Sequence, residues 1–136
     1  MPRQHRRRKI VAPPRFKGYK PYGCRQEQHT PVELLFEEYE AIKLADYKLL
    51  NHQEAALLMD VSRATFARIY ESARRKIAMA LVETKEIITQ TGNSYAEKKW
   101  FNCGKCQTRF TTTDKNELNG CPRCHNQTIE TIVKTK

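Results

Sequence analysis

The 136-residue chain carries 25 lysines and arginines against 15 aspartates and glutamates, a formal net charge of +10, with 39% hydrophobic and 29% charged residues. A chain of this length builds one compact domain or two small ones, with a limited core. No stretch approaches the roughly 18 to 20 consecutive apolar residues of a membrane span, and the basic start MPRQHRRRKIVAPP lacks the apolar run of a secretory signal, so a cytoplasmic location is expected.

The charge is unevenly placed. Arg3, Arg6, Arg7, Arg8, Lys9, Arg15, Lys17, Lys20 and Arg25 fall within the first 25 residues, where there is no acid, whereas the remaining 16 basic groups face all 15 acids. Such a segment attracts polyanions through counterion release; a solubilising tail or a membrane-surface patch is the alternative reading of a basic run. Four prolines, two glycines and few apolar residues over positions 1–28 predict an extended arm without regular structure. Phe16, Tyr19 and Tyr22 interrupt its charge, positioned either to dock the arm on the domain or to stack on bases.

Thr30-Pro31-Val32-Glu33 has the form of a helix start, with a capping threonine, proline at the first helical position and a glutamate to complete a capping box. Leu35, Tyr39, Ile42 and Leu49 follow at helical spacing as candidate core. Glu33, Glu37, Glu38, Glu40 and Asp46 then read as a solvated acidic face turned away from phosphate. These carboxylates are not matched with a nucleophile or base, so the pattern does not point to an acid/base enzyme.

From Gln53 to Leu81 the chain reads QEAALLMDVSRATFARIYESARRKIAMAL: a short amphipathic segment, a turn at Met59-Asp60-Val61, then a longer basic one. Asn51 with Glu54, and Ser62, are suited to cap the two helices. Ala55, Ala56, Leu58 and Met59 form the expected buried side of the first. On the second, Phe66, Ile69, Tyr70, Ala73, Ile77, Ala80 and Leu81 make one apolar stripe, with Ala64, Arg68, Glu71 and Arg75 opposite. The layout is that of a helix-turn-helix.

Residue roles follow from that layout as expectations. Arg63 and Arg68 suit guanine edges or phosphate, Ala64 and Thr65 a thymine methyl, and Ser62 and Gln53 the backbone; Arg74, Arg75 and Lys76 suit phosphate. Arg6, Arg7 and Arg8 of the arm join them as DNA contacts, reaching toward phosphate or the minor groove. The competing reading is a protein-binding helix pair with solvent-exposed charges. Met79, Val82, Ile87 and Ile88 form a candidate homodimer seam, unless they pack on their own domain.

Residues from about 30 to 95, through FEEYEAIKLAD, the QEAALL…IAMAL block and the closing TGNSY, resemble a family of small, otherwise uncharacterised predicted DNA-binding proteins of bacteria and archaea. Their helix-turn-helix is similar to that of sigma-factor region four. The resemblance implies DNA binding without specifying a task. Asp60 departs from the glycine usual in such turns, and aspartate tolerates a left-handed backbone better than most residues.

Cys103-Gly-Lys-Cys106, fourteen residues, then Cys121-Pro-Arg-Cys124 has the spacing of a four-thiolate zinc site. Short β segments are expected at Trp100 and Phe101, Arg109 to Thr113, and Thr128 to Val133, giving a zinc ribbon over 98–134 whose metal supplies its folding energy. An iron–sulfur cluster is the alternative occupant; a disulfide pair does not suit a chain without secretion. Four thiolates leave no open position for a catalytic water. His125 reads as a neighbour of the site, and Cys24 and His29 lie outside the pattern. Lys98, Lys99, Lys105, Arg109, Lys115 and Arg123 are candidate nucleic-acid contacts of the ribbon.

The expected architecture is a basic arm at 1–28, a mainly α helix-turn-helix domain at 29–95 and a small β zinc-ribbon module. The expected function is sequence-specific binding of double-stranded DNA as a transcriptional regulator. An RNA-binding or ribosome-associated zinc protein, an iron–sulfur redox sensor, and an adaptor to the transcription machinery are the alternatives.

Overall fold

The structure, a computed structural model, describes residues 7–25, 30–111, 120–133 and 135. Arg6, His29 and Lys115 lie outside these, as do the last two residues of the strand expected to end at Thr113. The described residues form three helices and three small sheets, a mixed α/β fold.

The helix expected from Thr30 does not start there. Val32–Leu35 is a strand, β3, with Val32 and Leu34 buried and Glu33 exposed. It pairs in parallel with a strand 55 residues further on, Ile87–Gln90, designated β4, in the register Val32 to Ile87 through Leu35 to Gln90. Local capping chemistry at Thr30 yields to the strand preference of a β-branched residue with apolar alternation, once a partner is supplied from afar. Helix α1 runs from Phe36 to Ile42, and Glu38 Oε1 accepts the Leu35 N–H at 2.8 Å as half of a capping box. A π-helical turn over Lys43–Tyr47 extends it.

Helices α2, His52–Leu58, and α3, Arg63–Val82, begin at the expected caps: Asn51 Oδ1 accepts the Glu54 N–H at 2.8 Å and Ser62 Oγ the Thr65 N–H at 3.1 Å. Ala41, Leu44, Ala55, Ala56, Met59, Phe66 and Ile69 form one core, with the His52 ring edge-on to Phe66 and Tyr70. Ala73 and Ala80 continue the buried stripe of α3. Three residues expected in the core are exposed instead, Leu49 at 81%, Leu58 at 54% and Leu81 at 75%.

The arm is not without regular structure. Arg8–Lys9, strand β1, pairs in parallel with Ser94–Tyr95, β5, and Gly18–Tyr19, β2, adds antiparallel to β4. Gly18 is required by this approach, since a Cβ there would collide with the Ile87 carbonyl. Ile10 and Pro14 are fully buried, and Phe16 docks edge-on against Tyr19 and Tyr39, the docking alternative rather than the base-stacking one. Ile87 and Ile88, proposed for a dimer seam, are half-buried inside this sheet, whereas Met79 and Val82 are exposed.

Strands β6, Trp100–Cys103, β7, Arg109–Thr111, and β8, Ile129–Val133, form an antiparallel sheet in the order β7-β6-β8. Phe101 and Phe110 pack across its central pair. The sheet does not stand alone: Val133 is buried in a second core with Ile10, Phe36 and Ala96, flanked by Trp100 and Ile132.

Candidate metal centre and nucleic-acid interface

The β6–β7 turn and the loop before β8 bring Cys103, Cys106, Cys121 and Cys124 together, with all four sulfurs within 4.8 Å of one another. Cys103 and Cys124 approach to 3.5 Å, as do Cys106 and Cys121. Four sulfurs at about 2.3 Å from one ion in a tetrahedron lie about 3.8 Å apart, so the cluster fits a single metal ion. Cys103 and Cys121 are buried, and Cys106 and Cys124 half-buried.

The two halves repeat one geometry. Cys103 Sγ accepts the Lys105 and Cys106 N–H groups at 3.4 and 3.5 Å, and Cys121 Sγ those of Arg123 and Cys124 at the same distances. In each half the residue after the second cysteine turns left-handed, Gln107 at φ 63° and His125 at φ 62°, returning its N–H to the first cysteine's carbonyl. This turn explains why His125, though adjacent to Cys124, is not among the clustered ligands. Gly104 is the close-approach position, where a Cβ would lie 2.9 Å from the Thr128 methyl.

Donors aimed at the sulfurs favour thiolates. The Cys106 N–H holds the Cys103 thiol below its ordinary value. The Thr108 hydroxyl, 3.0 Å away, and then the Thr108 N–H bring Cys106 down to about 6. At Cys124 the Asn126 N–H acts downward, but burial and the three neighbouring thiols outweigh it and push that group up to about 11. Without a cation, four adjacent sulfurs resist full ionisation; a bound divalent ion supplies the missing charge.

The second candidate site is the outer face of α3. Arg63, Ala64, Arg68, Glu71 and Arg75 are exposed along it, as are Ser62 and Gln53, while Thr65 is half-buried with its hydroxyl 2.9 Å from Ser62 Oγ. Arg75 pairs with Glu71 at 2.9 Å, and Arg74 lies over the Tyr70 ring. The Tyr70 hydroxyl donates to Asp46, which raises its pKa. The turn before α3 holds Asp60 at φ 57°, the left-handed conformation that glycine would adopt at no cost. It is braced from outside, because the Lys9 N–H donates to the Met59 carbonyl at 2.8 Å and the Tyr95 hydroxyl to Asp60 Oδ2 at 3.1 Å.

Three expectations about charge are corrected here. Glu37, Glu38 and Glu40 are buried rather than solvated, at 3%, 3% and 1% exposure. Each meets a cation. Glu37 lies 3.5 Å from Arg8 Nε and accepts the Asn93 N–H; Glu38 receives Lys76 Nζ at 2.7 Å and the Ser72 hydroxyl at 2.6 Å; Glu40 lies 3.1 Å from Lys43. Burial raises the pKa values of Glu37 and Glu40. Arg8 and Lys76, expected to face phosphate, are therefore engaged internally, because desolvated carboxylates require a partner. Arg109, expected at the ribbon surface, points inward with its guanidinium over the Phe36 ring, and burial lowers its pKa. Arg7 remains exposed.

A four-cysteine cluster and a basic helix on one small α/β scaffold define a candidate metal-binding protein with a cationic surface. The family model described as "Protein of unknown function DUF134" matches residues 1–97, and the chain belongs to that family. It is 36% identical to a UPF0251 protein of Chloroherpeton thalassium, an alignment covering 96% of this chain and 86% of that one. It is 37% identical to a UPF0251 protein of Methanothermobacter thermautotrophicus, covering 97% and 68%, and 40% identical to one of Caldicellulosiruptor bescii, covering 95% and 87%. No solved structure matches. Among the described residues no helix is long and apolar enough to cross a membrane.

Proposed function

We propose that the protein binds double-stranded DNA sequence-specifically and acts as a transcriptional regulator, with α2, the Met59–Val61 turn and α3 serving as a helix-turn-helix. One observation carries the reading: α3 is capped by Ser62 and buries one face against α1 and α2, leaving Arg63, Ala64, Arg68 and Arg75 exposed in a row from its N-terminal turn. Among the described residues Arg63 and Arg68 have no ion-pair partner, so their guanidinium groups are available for base edges or phosphate. Gln53 and Ser62 flank them. Arg7, two residues before the Lys9 bond to the turn, lets the arm begin beside this helix end.

The metal centre is read as structural zinc. Four sulfurs complete a tetrahedral site, which leaves no vacancy for substrate or water, and the paired turns match a closed thiolate site; no enzymatic role is proposed. The resident metal would tie β6, β7 and β8 together without chemistry of its own.

Selection of bound fragments from a random duplex pool, followed by titration of the winner at several salt concentrations, tests the DNA reading. A recovered consensus with affinity falling steeply in salt supports it. Equal recovery of all sequences, or preference for structured RNA at matched salt, removes it.

A further inference from the structure

The metal-binding sheet reaches the arm through one side chain. Thr108, 3.0 Å from the Cys106 sulfur, is followed by Arg109, whose Nη1 donates to the Pro14 carbonyl at 2.7 Å and Nη2 to Thr89 Oγ1 at 3.3 Å. Thr89 itself holds the arm: its N–H donates to the Lys17 carbonyl at 2.9 Å, and its hydroxyl lies 3.0 and 3.2 Å from the Lys17 and Phe16 carbonyls. On the other edge of the same sheet, Val133 is fully buried in the cluster that includes Ile10, with Trp100 packed beside them.

From Ile10 the contacts continue to α3. The Arg8, Lys9 and Ile10 N–H groups donate to the carbonyls of Asn93, Met59 and Tyr95 at 2.8–2.9 Å. Met59 lies in the turn that sets the start of α3, and Tyr95 also holds Asp60. A continuous series of packed and hydrogen-bonded groups thus runs from the thiolate cluster through Arg109 and Val133 to Ile10, and from there to the turn. The three-stranded sheet has little core of its own, chiefly Phe101 and Phe110, so a metal held by its four cysteines would supply much of what fixes it.

We propose that this series is a metal-controlled clamp: with the centre filled, the β6–β8 sheet seats the arm and braces the turn, and with the centre emptied both loosen. A ligand that binds only the assembled sheet favours whatever the assembled sheet holds. Metal occupancy then sets how the arm and α3 are presented together, and its effect on DNA affinity rests on the reading given above.

Hydrogen exchange on the full chain tests the clamp, comparing protein loaded with Zn2+ and protein stripped by chelator under reducing conditions. The expected result is at least tenfold faster exchange at the Lys9, Ile10 and Thr89 amides in the stripped protein, while the amides of central α3 stay protected. Exchange confined to the cysteine turns, with those three amides unchanged, would overturn the proposal. If stripping unfolds the whole chain, Arg109→Ala loaded with Zn2+ decides: its four ligands are intact, so release of the same amides supports the clamp and full protection refutes it. Duplex affinity of the same samples separates the two ideas. Arm release without loss of affinity counts against the arm as a DNA contact, whereas retained arm protection counts against the clamp.

Discussion

Replacing Glu38 with alanine removes a side chain that ties the start of α1 to the middle of α3. Its carboxylate accepts from three donors, the Leu35 N–H at 2.8 Å, the Ser72 hydroxyl at 2.6 Å and Lys76 Nζ at 2.7 Å. Removing one partner of a buried ion pair costs about 3–5 kcal/mol, because the other charge is left desolvated. Lys76 retains 31% of its exposure and can turn its ammonium to water, and the Ser72 hydroxyl can rotate, which lowers the expected loss to about 2–4 kcal/mol. Against a typical domain stability of about 5–15 kcal/mol that is a large fraction. Urea unfolding of metal-loaded protein, followed by helical circular dichroism, should show the midpoint falling by about 1–2 M at unchanged slope. Glu38→Gln keeps acceptor oxygen in place and should lose about half as much. A loss below about 0.5 kcal/mol for the alanine variant, the value of an ordinary surface residue, would refute the buried placement.

Arg68→Ala should weaken binding to the selected duplex by about 1–3 kcal/mol and relax preference at one base pair, with circular dichroism unchanged; identical affinity and consensus would take Arg68 off the reading surface. Cys121→Ser should abolish stoichiometric metal binding and shift the emission of Trp100, the sole tryptophan, to the red as it leaves the cluster with Ile10 and Val133. Elemental analysis of the parent protein should find one zinc per colourless chain; bound iron with visible absorbance would replace zinc with an iron–sulfur cluster. Burial raises Glu37 and Glu40 above the unfolded carboxylate value, so the native state binds more protons than the unfolded one between the two. The stability from their neutral forms is fully present below the unfolded pKa of about 4.3 and is lost as pH rises through the higher folded values. Glu40→Gln should flatten that fall, and a pH–stability profile parallel to wild type would show that Glu40 ionises in the fold as it does in the unfolded chain.

What was legible in the sequence was what is local. The caps at Asn51 and Ser62, the left-handed Asp60 and the grouping of four cysteines all depend on neighbours within a few positions, and each stands where its residue type predicts. The errors are non-local. Val32–Leu35 has the residues of a strand and the preceding cap of a helix, and only β4, 55 residues later, decides between them. Once that segment is a strand, α1 begins at Phe36 and its carboxylates turn inward, so one long-range pairing decides both where the helix starts and which way its acidic face points. Alternation of Val32 and Leu34 with Glu33 was a usable signal, as was the β-branched run at Ile87-Ile88-Thr89. The inward turn of Arg109 had no such signal, because a lone arginine in a strand reads the same whether it meets water or an aromatic ring.

The inward pairs also change which cations can meet a polyanion, and two arginines make the contrast measurable. Arg8 is 17% exposed beside Glu37, whereas Arg63 is exposed at the start of α3 without an ion-pair partner among the described residues. Each phosphate contact contributes about 0.9 to the slope of log affinity against log salt. Arg63→Ala should therefore lower that slope by about one, or change sequence preference if it meets a base, and leave unfolding nearly unaltered. Arg8→Ala should leave the slope alone and cost stability of about 1–3 kcal/mol, because Glu37 remains buried without its cation. The two variants have the same formal charge, so any net-charge account predicts equal slopes for them. Equal loss of slope in both, with Arg8→Ala as stable as wild type, would return Arg8 to the phosphate-facing arm and make its pairing with Glu37 incidental.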